Sequence, residues 1–202
     1  MSFFPILIEL EDAPCLVAGG GEIALHKVQV LLNEGAGVTV VAPEICKEIE
    51  DLPVKLEKRT VTKEDAEGKL LVIDASGSKE AEDILSKACR EMHVPYVCSG
   101  HGDACTAIFP AIFRKGRTTV AVSSLGASPP ASAWLRDELA GHVPENMDEI
   151  LERMAKIRVL AKEKIDTQSA RKEFFHFCLS VMLESGEILT EEQTEELLKD
   201  FR

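Results

Sequence analysis

Cys15-Leu16-Val17-Ala18 is a short apolar run closed by Gly19-Gly20-Gly21, after which Ala24, Val28, Leu31 and Leu32 recur at helical spacing. The pattern predicts a buried strand, a tight turn and an amphipathic helix. Gly37 to Ala42 is apolar and β-branched and predicts a second buried parallel strand. Val54–Glu57, Leu70–Ile73 and Val94–Cys98 predict further strands, and Lys79 to Met92 predicts a helix whose apolar positions are Ala81, Ile84, Leu85 and Ala88. Ala107 to Phe113 and Thr118 to Ser123 predict two more strands, separated by the polar turn Arg114-Lys115-Gly116-Arg117. Ser128-Pro129-Pro130 opens a helix that runs to about Ala140, and Pro144 marks a boundary. Beyond it the pattern is helical. Ile150, Met154, Ile157 and Ala161 form one stripe, Phe174, Phe177, Cys178 and Val181 a second, and Thr190-Glu191-Glu192-Gln193 is a capping box for a last helix.

The glycine turn carries candidate chemistry. Gly19, Gly21 and Ala24 fill the G-x-G-x-x-G/A frame of a dinucleotide-binding turn, in a strand–turn–helix setting that makes the short motif informative. Gly19 allows the sharp turn, Gly21 lets the backbone approach a pyrophosphate, and Ala24 lets helix and strand pack closely. The helix start offers unpaired N–H groups and a positive dipole end to phosphates. The cofactor-binding set read from this turn is Gly19, Gly20, Gly21, Glu22, Ile23 and Ala24, joined by Ala42, Pro43 and Glu44 at the tip of the second strand. In such folds that tip holds the adenosine ribose. Glu44 supplies a carboxylate there and no Arg or Lys lies at the tip, Lys47 being the nearest, so NAD is expected over NADP.

Charge narrows the partners. Charged residues make up 29% of the 202 positions and the net charge is −12, which argues for a globular chain and against nonspecific nucleic-acid binding. Phe3 to Ile8 is apolar but too short to span a bilayer, lacks a basic flank and runs into Glu9, Glu11 and Asp12. Neither an exported nor a membrane protein is expected. A cytoplasmic location follows, in which the six cysteines are thiols or ligands and not a disulfide frame.

Several stretches converge on one family. Phe3-Phe4-Pro5-Ile6, the turn from Gly19 to Lys27, Val38 to Glu44, Ile108-Phe109-Pro110-Ala111, Ala121 to Pro129 and Leu135-Arg136 together resemble the precorrin-2 dehydrogenases, the N-terminal module of siroheme synthases. The resemblance implies an α/β chain with three parts: an NAD-binding Rossmann-type parallel sheet over residues 1–106, a small dimerisation segment over 107–144 and a helical C-terminal region over 145–202. It implies NAD as cofactor and a tetrapyrrole as partner, with hydride passing from precorrin-2 to NAD⁺ to give sirohydrochlorin. Some members also act as sirohydrochlorin ferrochelatases, which brings in Fe²⁺. A homodimer is expected on the same ground, and the two apolar strands and Trp134-bearing helix of the central segment present more apolar surface than a small lobe can bury.

One departure touches the chemistry itself. The family pattern resembles Asn-Val-Val-Asp-Asp-Pro upstream of Ile-Phe-Pro-Ala, and a count without gaps places the catalytic Asp on Gly100. A glycine cannot accept a proton. His101 and Asp103 are the candidate catalytic replacements. The alternative is a non-catalytic NAD- or tetrapyrrole-binding relative that has lost the acid. Cys98, His101, Asp103 and Cys105 have the residue types of a metal site, against which stands the ordinary burial of free cysteine, and no metal ligand is assigned. For the substrate, Ser124 and Ser128 lie where a strand gives way to a helix, and Arg117 lies among the basic residues expected near a polycarboxylate. Helix capping is the competing role for Ser128.

Overall fold

A computed structural model of the chain describes residues 3–99 and 104–201, which divide into two compact units between Phe109 and Pro110. The first unit comprises β1 (Pro14–Ala18), α1 (Glu22–Asn33), β2 (Gly37–Val41), a short α2 (Lys47–Glu50), β3 (Lys55–Glu57), β4 (Leu71–Asp74), α3 (Lys79–Met92) and β5 (Tyr96–Cys98). Its five strands run parallel in the order β3-β2-β1-β4-β5. This is the doubly wound arrangement, in which strand order reverses beside β1 and the ligand crevice lies beyond the carboxyl ends of the strands at that point.

The central strand shows why its run is apolar throughout. Leu16 and Ala18 pack with Leu85, Ala88 and Cys89 of α3, whereas Cys15 and Val17 pack with Ala24, Val28 and Leu31 of α1. Successive side chains of a strand point to opposite faces, and here both faces carry a helix. The predicted helix over Lys79–Met92 is present, with the Ser78 hydroxyl accepting from Ala81 N–H at its start and His93 in the left-handed region at its end. Residues 107–110, by contrast, are not strand. Thr106 and Ala107 N–H both donate to the Tyr96 carbonyl, and Ala107 and Phe109 pack against the first unit's core. Pro110 has no N–H to offer a ladder, and pairing starts at Ala111.

The second unit opens with an antiparallel hairpin, β6 (Ala111–Lys115) and β7 (Thr118–Val122), against which α4 (Pro129–Ala140) packs. Then come α5 (Met147–Lys164), α6 (Gln168–Ser185) and α7 (Glu191–Leu198), whose core holds Ile150, Ile157, Phe174, Cys178, Met182 and Leu198. The stripe on α6 is therefore Phe174, Cys178 and Met182, each one turn from the last. Phe177, expected inside, is 43% exposed and meets the ring of Phe201 at the edge. The capping box at Thr190 and Gln193 forms. Among the described residues no helix is long and apolar enough to cross a membrane.

Candidate functional site

The three glycines after β1 have three different reasons to be glycine. Gly19 has φ +119°, and a Cβ there would sit 2.6 Å from the carbonyl oxygen of Ala75, beyond β4. A Cβ on Gly20 would lie 2.0 Å from the carbonyl oxygen of Glu44, beyond β2. These two let the ends of three strands converge, and the convergence is tied by hydrogen bonds. Gly19 N–H donates to Val41 at 3.0 Å, Ala75 N–H to Ala18 at 2.8 Å, and Cys46 N–H to Gly20 at 2.8 Å. Gly21 differs. Its Cβ would meet nothing within 4 Å.

Gly21 is the N-cap of α1, and no side chain caps that helix start. The first N–H groups of a helix lack intrahelical partners, so the end of α1 presents donors and partial positive charge to whatever occupies the space before it. Among the described residues nothing requires glycine at position 21. A ligand that needs to lie against this backbone would.

A cleft of about 400 Å³ adjoins the turn, within the size range of small-ligand sites. Gly19 and Gly20 form one wall, Ala42, Pro43 and Glu44 a second, and Ser76, Ser78 and Glu80 a third. Of the predicted set, Gly19, Gly20, Ala42, Pro43 and Glu44 line this cleft beyond β1 and β2, whereas Gly21, Glu22 and Ile23 are not part of its lining and Ala24 is buried in the core of the first unit. Lys and Arg are absent from the described lining, while Glu44 and Glu80 are present. Arg59, after β3, is held elsewhere: it donates to both Asp65 oxygens at 2.6 and 2.8 Å and to Glu57 at 3.0 Å. That guanidinium keeps the Asp65 carboxyl below the usual range, and the clasp sets the path of Thr60 and Val61 into the cleft.

Sequence reasoning missed the group that shapes the third wall. Asp74 closes β4 with 4% exposure and accepts from Ser76 N–H at 2.9 Å, Ser76 Oγ at 2.6 Å and the Tyr96 phenol at 3.0 Å. Ser76 Oγ accepts from Ser78 N–H at 3.1 Å, and Ser78 in turn caps α3. A buried carboxylate must be satisfied by donors, and this one fixes the loop that lines the cleft. Burial, and then the Asp74 charge, push the Tyr96 phenol upward, so it stays a donor. The available signal was a carboxylate directly after the apolar run Leu71-Val72-Ile73, one residue past the predicted end of the strand.

The candidate catalytic residues His101 and Asp103 lie outside the described residues, as does Gly100. The flanking cysteines are described. Cys98 N–H donates to Cys105 Sγ at 3.1 Å, and Cys98 Sγ lies 3.7 Å from Glu82 Oε2. Burial pushes the Cys105 thiol up, which keeps it protonated at neutral pH.

The candidate substrate residues all belong to the second unit. The Ser124 hydroxyl is engaged: it accepts from Ser128 N–H at 3.0 Å and from Ser132 Oγ at 2.9 Å, and donates to the Ser128 carbonyl at 3.1 Å. Ser128 caps α4, accepting from Ala131 N–H at 3.3 Å. Arg117 sits at the tip of the hairpin, where its N–H donates to Asp148 at 2.9 Å and the neighbouring Lys115 pairs with Glu145 at 2.6 Å. Ser124 and Arg117 therefore lie at opposite ends of β7, a strand roughly 17 Å long at the usual rise.

Known proteins complete the picture. Residues 6–111 match the profile of a family described as "Putative NAD(P)-binding". The chain is 32% identical over 179 residues to a siroheme synthase of Methylococcus capsulatus, covering 87% of this chain and 38% of the relative. It is 33% identical over 183 residues to a siroheme synthase of Nitrosospira multiformis, covering 87% and 39%. It thus spans well under half the length of these relatives. The fold is similar to a solved structure described as SirC, precorrin-2 dehydrogenase, with a TM-score of 0.68 at 21% identity over 98% of each chain. With the doubly wound sheet, the glycine turn and the cleft beyond it, the family match over residues 6–111 establishes that this chain belongs to that NAD(P)-binding family.

Proposed function

We propose that the chain is an NAD⁺-dependent precorrin-2 dehydrogenase, forming sirohydrochlorin on the way to siroheme. One observation carries the reading: Gly21 stands at the uncapped start of α1 beside open space, and no described residue would crowd a side chain there. The residues there fit a dinucleotide, the pyrophosphate against Gly21 and the first N–H groups of α1, the adenosine end toward Ala42, Pro43 and Glu44. Glu44 and Glu80, with no cation in the described lining, favour NAD over NADP, whose 2′-phosphate these carboxylates would repel. The similarity to siroheme synthases supports the substrate class.

When bound, the nicotinamide supplies the hydride acceptor. This chain contributes orientation through the three cleft walls and a proton acceptor for the proton that leaves the substrate with the hydride. His101 and Asp103 are the proposed acceptors, in place of the family acid that Gly100 replaces. Ser124, Ser128 and Arg117 are proposed to meet the substrate carboxylates. A ferrochelatase step, with Fe²⁺ as substrate, is the extension of this reading. The assembly proposed is a homodimer through β6, β7 and α4. Across those three elements the described buried set contains Ser132 and no apolar side chain, while Ile112 and Trp134 are 43% and 64% exposed. Gly100 favours a second reading, a relative that binds NAD without turnover.

Calorimetry and an anaerobic assay separate these. Wild type should bind NAD⁺ more tightly than NADP⁺, and Gly21→Val should lose NAD⁺ binding while keeping its far-ultraviolet spectrum. Unchanged affinity in the variant defeats the cofactor assignment. With precorrin-2 and NAD⁺, wild type should form NADH, and His101→Ala should lose on the order of 10²–10⁴-fold in rate if the imidazole takes the proton. NAD⁺ binding without NADH formation establishes the non-catalytic relative. Adding Fe²⁺ and reading siroheme absorbance tests the chelatase step.

A further inference from the structure

The second unit carries a groove of about 480 Å³ between α5 and α6, built from residues that the proposed dehydrogenase does not use. Its floor is apolar: Met154 on α5 faces Phe175 and Leu179 on α6, all three half-buried. Its rim is cationic. Arg158 and Lys162 stand one turn apart on α5, Lys172 stands on α6, and all three are exposed. Arg171 is braced between rim and floor, its guanidinium donating to the carbonyls of Ile165 at 2.7 Å, Lys162 at 3.3 Å and Asp166 at 3.4 Å.

The charge arrangement runs against the composition. The chain has 35 acidic and 23 basic side chains, so carboxylates are in excess. Lys55, Lys58, Arg59, Lys79, Lys115, Arg136, Arg153, Lys164 and Lys199 all pair with one. Among the described residues Arg158, Lys162 and Lys172 have no such pair. Arg158 and Lys162 repel each other at (i, i+4) spacing, an arrangement that an isolated helix does not favour. A local positive patch over an apolar floor on an acidic protein concentrates anions that its remaining surface turns away.

We propose that this groove binds an organic anion with two or more carboxylate or phosphate groups on a flat apolar body. The volume lies in the small-ligand range, the Phe175 ring and the aliphatic floor suit a planar body, and cations on both walls suit groups at its edges. A polycarboxylate macrocycle and a nucleoside polyphosphate share this chemistry.

The test is local to the groove. The protein is labelled with carbon-13 on its methionine methyls, so Met154 reports the floor and buried Met182 reports the integrity of the helical core. Uroporphyrin, ATP and inorganic pyrophosphate are titrated separately. At least one organic probe should shift Met154 saturably while Met182 stays in place, and pyrophosphate should bind more weakly, lacking the apolar body. A response to uroporphyrin alone assigns the macrocycle, and a response to ATP alone the nucleotide; either supports the site. Arg158→Glu with Lys172→Glu should weaken that binding at least about tenfold with Met182 unmoved, since paired charge-assisted contacts are replaced by repulsion. No shift of Met154 with any probe overturns the proposal, as does equal binding by the double variant. A Met154 shift that follows protein concentration without ligand also overturns it, because a second copy then covers the groove. NAD⁺ binding at Gly21 is a separate measurement, so loss of either reading leaves the other intact.

Discussion

The central sheet of the first unit and the hairpin with α4 of the second are both rich in apolar residues, yet they dispose of them in opposite ways. In β1 the side chains of Cys15, Leu16, Val17 and Ala18 are wholly out of solvent, shared between a helix on each face. On β6, β7 and α4 the apolar side chains remain partly or largely exposed, and Trp134, Leu135 and Leu139 line the open side of α4. The first region is energetically complete. The second resembles half of an interface, because burial of such side chains stabilises only when something covers them. Similar apolar content is thus buried in one place and left uncovered in the other.

The comparison breaks most readily at its completed end. Leu16→Ala removes a fully buried side chain held between β1 and α3 and should cost about 2–5 kcal/mol of unfolding free energy, measured by urea denaturation. A loss comparable to that of an exposed substitution would show that the sheet core is not close-packed. Next comes the polar seam of the same unit. Asp74→Ala leaves Ser76 and Tyr96 without their acceptor and should cost about 1.5–3 kcal/mol, with weakened NAD⁺ binding in calorimetry because the Ser76–Ser78 wall loses its anchor. Stability loss with unchanged NAD⁺ affinity would confine Asp74 to a structural role. The smallest effect on fold sharpens the other end. Trp134→Glu should leave the far-ultraviolet spectrum native and change the stability of the isolated subunit by no more than about 0.5 kcal/mol, while sedimentation shifts from dimer to monomer. A monomeric wild type would remove the interface proposal.

The two regions also differ in how far their sequences announce them. The Lys79–Met92 helix carries its own signals, a serine cap and an apolar stripe, and it appears with those bounds. The helix opened by Ser128-Pro129 does too. The apolar run over 107–110 predicts strand, but Ala107 and Phe109 are spent on the first unit's core instead of a ladder. On α6 the same ambiguity moved Phe177 to the edge and Met182 to the centre. Phe174, Phe177, Cys178 and Val181 are all apolar, and which stripe turns inward depends on where α5 and α7 lie.

The sequence by itself determined the strand–glycine–helix unit, the αβ alternation and the helical C-terminal third, because periodicity, caps and glycine placement act over a few residues and need no distant partner. Tertiary structure alone decided that Gly19 and Gly20 are glycines for the convergence of strand ends, while a Cβ at Gly21 would meet no described residue within 4 Å. It alone joined Asp74 to Tyr96, 22 positions away in the chain. It alone set Met154 of one helix opposite Phe175 of another beneath a rim of Arg158, Lys162 and Lys172. Those relations join residues far apart in sequence, and no local pattern encodes a distance between two elements until both have packed.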